Sequence, residues 1–315
     1  MCVGKIYVEG INMEFLNTFI NGLSVGGIYA MIALGYTMVY GIAKMLNFAH
    51  GDIIMVGACS IVLIMGGQAN PAVAMLAIFD AIIICTFLGV GIEKVAYKPL
   101  RGASPLAVLI TAIGVSYLLQ SLAQLIAGSD VKSNVLFDGL FPKFLNKFFG
   151  GVISVGGFSI RLSTIITIVC AALVMVGLTL FVKKSKTGRA MVAVSEDKGA
   201  AQLMGINVNG IIMITFAIGS ALAALASVLM MLDGQNFKVD MGSLPGIKAF
   251  TAAVIGGIGS IPGAMIGGIL LGFVECFAQL IGLGDYAVAI EFTILIIVLL
   301  VKPTGILGKK RREKV

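Results

Sequence analysis

The chain has 315 residues, 59% of them hydrophobic and only 12% charged, with a mean hydropathy of +1.06 and a formal net charge of +7. Soluble domains carry about a quarter charged residues and under half apolar ones, so this composition excludes a soluble enzyme and describes a polytopic integral membrane protein. The basic surplus requires no nucleic acid; it reads as an orientation signal facing an anionic inner leaflet of membrane lipid.

Residues 1–12 make a poor signal peptide. Met13 is an alternative start, which leaves 1–12 as an unstructured N-terminal extension ahead of a transmembrane domain over 13–308. Apolar runs of about 20 residues can cross roughly 30 Å of hydrocarbon. Such runs occupy 15–43, 50–67, 71–93, 105–128, 163–182, 210–232, 248–259, 263–283 and 286–301. The first is long, and the seventh is too short to span as a straight helix. The expected fold is therefore an all-α bundle of about 8–9 membrane segments, some of them broken or half helices.

In the first run, "GLSVGG" sets Gly22 and Gly26 four apart, a spacing that lets helix backbones approach closely in lipid. After it comes "NFAHGD", with Asn47, the only histidine, His50, and Asp52. The modest reading is an interfacial helix start, with Asn47 capping and Asp52 favoured at the positive end of the helix dipole. Asp52, Asp80, Glu275 and Glu291 all fall in apolar runs. A charge at the centre of an inserted helix costs roughly 2.5–3.5 kcal/mol, so each is protonated, paired with a neighbouring helix or close to an interface.

Three basic stretches, "EKVAYKPLR", "KKSKTGRAMVAVSEDK" and "KPTGILGKKRREKV", hold 14 of the 22 lysines and arginines. Cytoplasmic loops are enriched in these residues. Placing all three inside leaves an even number of crossings between them, with the amino terminus outside and the basic tail 309–315 in the cytoplasm. Residues 129–162 then form the longest external loop. Two alternating runs there flank Gly156-Gly157 as a hairpin; the loop either meets an external partner or caps the interface through Phe141, Phe144, Phe148 and Phe149.

The inner loop 183–209 reads as one short amphipathic helix. Met191, Val192, Val194, Ala201, Leu203 and Met204 give its apolar side, Glu196, Asp197 and Lys198 its charged side, and Gly205 a stop. It fits a soluble partner's groove or the lipid interface. Further on, "GGIGSIPGAMIGGILLG" repeats glycine at 259, 263 and 267, then 268 and 272, but Pro262 interrupts the series. Gly256, Gly257, Gly259, Pro262 and Gly263 therefore mark a helix break, in a place comparable to "NFAHGD" in the other half. Interrupted apolar segments of this kind point to the midplane of a transporter.

The five cysteines show no metal-ligand or disulfide spacing and read as packing residues. With one histidine and no G-x-x-x-x-G-K-[ST] loop, the chain contains neither a hydrolytic triad nor a phosphate cradle. If transport is active, its energy comes from ions or from another subunit.

"GAAQLMG" resembles the E-A-A-x-x-x-G coupling loop of ABC-importer permeases, with Gly199 in place of the glutamate and no I-x-L-P following. "NGLSVGGIYAMIALGYTMVYGI", "NFAHGD", "GRAMVAVSEDKGAAQLMGINV", "KAFTAAVIGGIGSIPGAMIGGILLG" and "KPTGILG" together resemble the branched-chain amino-acid permease family. The resemblance implies a bundle of the kind shared with ribose and vitamin B12 importers. It also implies a second, M-type permease, two cytoplasmic ATPase subunits carrying ATP and Mg, and an external substrate-binding protein in a bacterial inner membrane, with no cofactor on this chain.

On the same resemblance, Gly188, Arg189, Glu196, Asp197, Ala200, Ala201, Leu203, Met204 and Gly205 belong to the ATPase-coupling loop. Asn47, His50 and Asp52 would then start a re-entrant or broken helix near the translocation route, where they satisfy backbone groups or meet a zwitterionic substrate. Urea, short amides or other amino acids remain alternative cargoes, and a self-sufficient ion-coupled carrier the alternative class.

Overall fold

The computed structural model of the protein describes residues 2–134, 136–140, 152–155 and 158–308. Helix α1 (Cys2–Ala43) is followed by α2 (His50–Met65) and α3 (Pro71–Ile92), which runs on through a π-turn at Glu93–Tyr97 and a 3-10 turn at Lys98–Leu100. Next come α4 (Pro105–Ala127), α5 (Leu136–Leu140) and a hairpin of β1 (Val152–Val155) and β2 (Phe158–Arg161). The second half contains α6 (Leu162–Lys184), α7 (Lys186–Glu196), α8 (Lys198–Leu203), α9 (Val208–Leu232), α10 (Ser243–Gly256), α11 (Ile261–Leu280) and α12 (Ala287–Val301).

Among the described residues, seven helices are long and apolar enough to cross a membrane, and two apolar helices, α2 and α10, are shorter. The expected all-α bundle with half helices is what forms. Residues 2–12 differ from the expectation of an unstructured extension, because α1 begins at Cys2. That segment holds no proline to stop the helix, so it continues the apolar helix that follows.

Helix α1 is the hub. Of its most apolar window 89% is buried, against 11% for α12 at the periphery. Glycine makes this centrality possible, since α1 and α11 cross with their backbones in contact. A Cβ on Gly26 would lie 2.7 Å from the Ile269 Cα, one on Gly268 2.3 Å from the Ala30 nitrogen, and one on Gly272 2.2 Å from the Gly26 nitrogen. The two glycine series visible in the sequence are thus each other's partners.

Polar side chains cap six of the helices. Asn70, Ser104, Ser185, Asp197, Asn207 and Ser260 each accept a hydrogen bond from a backbone N–H of the helix they precede. At one end, Arg161 pairs with Asp233 at 3.7 Å, and Lys132 bridges Phe237 through backbone bonds of 3.1 Å. The hairpin register closes on Val155↔Phe158, leaving a two-residue connection as the alternation predicts. Gly156, Gly157, the four phenylalanines Phe141, Phe144, Phe148 and Phe149, and the tail 309–315 lie outside the described residues.

Gly272→Val should therefore drive a side chain into backbone that cannot yield, costing about 1–3 kcal/mol or more. The folded yield, followed by fluorescence-detected gel filtration, should collapse. Gly114→Val, placed where nothing lies within 4 Å, should leave it unchanged. Equal yields would contradict the glycine crossing.

Candidate functional site

After α1 the chain turns back at Lys44, which takes φ +61. Residues 45–49 then carry it inward, so α2 starts beside Ile32 and Gly35 of α1. At 1.5 Å per residue, Gly35 lies about 12 Å inside the Ala43 end, which sets the first residue of α2 well inside the bundle. His50 is buried there (1% exposed). Its ring meets the edge of Tyr36 at 4.7 Å and contacts the Ile32 backbone. A Cβ on Gly35 would come within 2.4 Å of its Nε2, so only glycine admits the imidazole.

Contrary to the expectation of a cap, Asn47 does not cap α2. Ala49 holds the cap position, with no side-chain cap bond. The Asn47 Oδ1 instead accepts a 2.9 Å hydrogen bond from the Tyr97 hydroxyl, and both residues are buried. A buried phenol needs an acceptor, and that demand turns the amide away from the helix. Asp52 does lie in the first turn of α2, at the positive end of the helix. It accepts a 2.8 Å bond from Gln120 of α4 and a further one from Ser116.

The start of α10 crosses the start of α2 at this depth. A Cβ on Gly242 would fall 2.0 Å from the Gly51 carbonyl oxygen, and one on Gly51 2.5 Å from that of Gly242. Gln120 reaches the Ser243 hydroxyl as well, at 3.4 Å. Like α2, α10 has no side-chain cap. Two uncapped helix N-termini therefore meet inside the bundle, with Asp52 in the first turn of α2.

The other end of α10 is the break anticipated at 256–263. The helix stops at Gly256, Gly257 and Gly259 take φ of +107 and +94, and α11 restarts with Ser260 as cap and Pro262 in its first turn. Gly256 and Gly263 touch through backbone. The Ile306 and Leu307 amides donate to the Ile255 and Gly256 carbonyls at 2.8 and 2.9 Å, finishing the helix from the carboxyl-terminal side.

The connector 186–205 forms two helices rather than one. Asp197 leaves the helical region (φ −152), and its carboxylate accepts from the Ala200 N–H at 3.0 Å, starting α8 afresh. The break divides the expected apolar side. Met191, Val194 and Ala201 are buried against the bundle. Leu203 and Met204 project outward, 90% and 83% exposed, and Val192 joins them in part.

Gly188 packs α7 tightly on α6, where a Cβ would lie 2.5 Å from Val182 Cα. Arg189, Glu196 and Ala200 face solvent, and Gly205 (φ +81) ends α8. Lys198 donates to the Ala43 carbonyl at 2.8 Å, fixing the connector to the end of α1. Burial, and then the nearby Arg101 charge, hold the Lys198 ammonium below the usual lysine range. Arg101 itself bonds Glu93 and Asn209.

A sequence model for the family described as "Branched-chain amino acid transport system / permease component" matches residues 18–299. The chain belongs to this permease family. The permease is 46% identical over 308 residues to the high-affinity branched-chain amino acid transport system permease protein BraD of Pseudomonas aeruginosa, covering 96% of this chain and 98% of the relative. It is 43% identical over 313 residues to LivH of Escherichia coli, with the same coverage. Its fold is similar to that of an inward-facing metal-chelate type ABC transporter (TM-score 0.50, 15% identity, 91% of this chain and 85% of that one).

Within the permease, two of the isolated carboxylates share one cation that the sequence reading did not single out. Lys248, on α10 and 3% exposed, lies 2.8 Å from Glu275 of α11 and 3.1 Å from Glu291 of α12. The contact to Glu291 is electrostatic, since neither of its oxygens has a hydrogen bond of good geometry. The Tyr29 hydroxyl of α1 donates to the other Glu275 oxygen at 2.7 Å, and the Lys248 ammonium stands 5.5 Å from the Tyr29 ring centre. The available signal was one lysine and two glutamates, each alone in consecutive apolar runs. Asp80 stays half-buried on α3. Among the described residues no group of three or more His, Cys, Asp or Glu forms a metal cage.

Tyr97→Phe should strand the buried Asn47 carbonyl and cost about 1–3 kcal/mol. A melting curve in detergent should drop by several degrees. An unshifted curve would show that this bond does not hold the start of α2.

Proposed function

We propose that this permease is the membrane-spanning subunit of a binding-protein-dependent ABC importer for branched-chain amino acids (Leu, Ile, Val). In this reading the chain shares the translocation path with a second, M-type permease. Two cytoplasmic ATPase subunits, which bind ATP and Mg, drive it, an external binding protein feeds it, and the chain itself does no chemistry. The cargo follows from the names of relatives aligned over 96% of the chain.

The single observation that carries the mechanism is the exposed pair Leu203–Met204 at the tip of a connector otherwise anchored by burial. Two large apolar side chains in water at a helix end are a knob for a partner's groove. Orientation is supported by charge. Lys94, Lys98 and Arg101 lie beside Asn209 and the connector through the Arg101 bond, and Lys302 lies beside the 255–256 end of α10 through residues 305–307. The described basic residues of the three stretches thus lie toward the connector's end, which supports a cytoplasmic connector and an external amino terminus. Asn47, His50, Asp52 and the 256–263 break then mark the ends of two half-helices beside the route. The contacts made by Tyr97, Tyr36 and Gln120 favour a structural role for the three polar side chains.

Leu203→Asp and Met204→Asp together should cut binding-protein-stimulated ATP hydrolysis by about tenfold or more, with membrane levels near wild type. Met191→Asp, by contrast, buries a charge and should lower the membrane level itself. Full stimulation in the double variant would refute the docking assignment. In a second assay, the chain reconstituted alone should move no amino acid uphill; accumulation driven only by an ion gradient would remove it from the ABC class.

A further inference from the structure

We propose that Lys248 is a positioning residue that makes the half-helix α10 a stiff link between the cytoplasmic connector and the mid-membrane junction. This rests on the reading above that ATP-driven motion enters through that connector. Helix α10 meets the mid-membrane junction directly and approaches the connector only through the break that follows its last residue. Its first residues cross α2 at Gly51, and Ser243 shares Gln120 with Asp52. Beyond its last residues, Gly259 and Ile261 line a cavity of about 60 Å³ together with Met191, Val192 and Ser195 of α7.

Lys248 stands between those ends, and its contacts reach three other helices: Glu275 of α11, Glu291 of α12 and the Tyr29 ring of α1. Charges in hydrocarbon are costly, and well-packed apolar residues fill the same volume at equal or better stability. An ionic set at this point therefore specifies position rather than strength. It keeps α10 in one register against α1, α11 and α12, so that displacement at the cavity end is delivered to the crossing with α2.

The test uses the complete transporter in proteoliposomes, and reads leucine transported per ATP hydrolysed. Wild-type vesicles must first show ATP-dependent uptake; if they do not, the importer assignment fails and the link is not at issue. Lys248→Met/Glu275→Gln/Glu291→Gln removes every charge of the set. It should assemble with its partners and still hydrolyse ATP when binding protein is added, with the transport ratio down about tenfold. Glu275→Gln alone keeps the Lys248–Glu291 contact and the side-chain shape, and should lower the ratio about threefold. A set that merely stabilised the fold would reduce the yield of assembled complex and leave the ratio untouched. An unchanged ratio in either variant overturns the proposal.

Discussion

Hydrocarbon offers no water to an unpaired backbone N–H, so a helix can begin in mid-membrane only where protein covers its first turn. Everything in this bundle follows from meeting that requirement twice. The first turn of α2 is covered by the crossing chain at Gly242 and supplied with an anion by Asp52. The first turn of α10 lies against the same crossing, with Ser243 bound to Gln120. Neither end carries a side-chain cap. The two half-helices solve the problem jointly, and neither start would be tolerable without the other.

The joint solution demands close backbone approach, which explains where glycine is spent. Gly51, Gly242 and Gly246 let the half-helices cross, Gly35 makes room for His50, and Gly26, Gly268 and Gly272 bring α11 onto α1. With α1 at the centre, α3, α4, α6 and α12 are left with mostly exposed apolar faces, suited to lipid and to further subunits.

Much of this was legible in the sequence, because it is written in hydropathy and glycine spacing. The nine runs, the short seventh segment, the break around Pro262 and the hairpin between Val155 and Phe158 all come from local pattern. What escaped was set by partners distant in sequence. Asn47 looks like a cap until Tyr97, fifty residues away, claims its carbonyl. Lys248 looks like the edge of an apolar run until Glu275 and Glu291 arrive on other helices. The connector misled for a different reason. Periodicity finds an apolar face but not the Asp197 cap that splits it, and only the split shows that Met191 and Val194 point inward while Leu203 and Met204 point out.

The bonds from Ile306 and Leu307 to the last carbonyls of α10 bear on how the protein is made. A nascent chain enters the membrane amino end first, yet α10 receives these two donors from residues synthesised about fifty positions later. Until residues 306 and 307 have been made, the half-helix keeps open acceptors at one end and waits for Glu291 near its middle. The carboxyl end of α10 thus sets only after α11 and α12 have been made, and biogenesis must keep it sheltered until then.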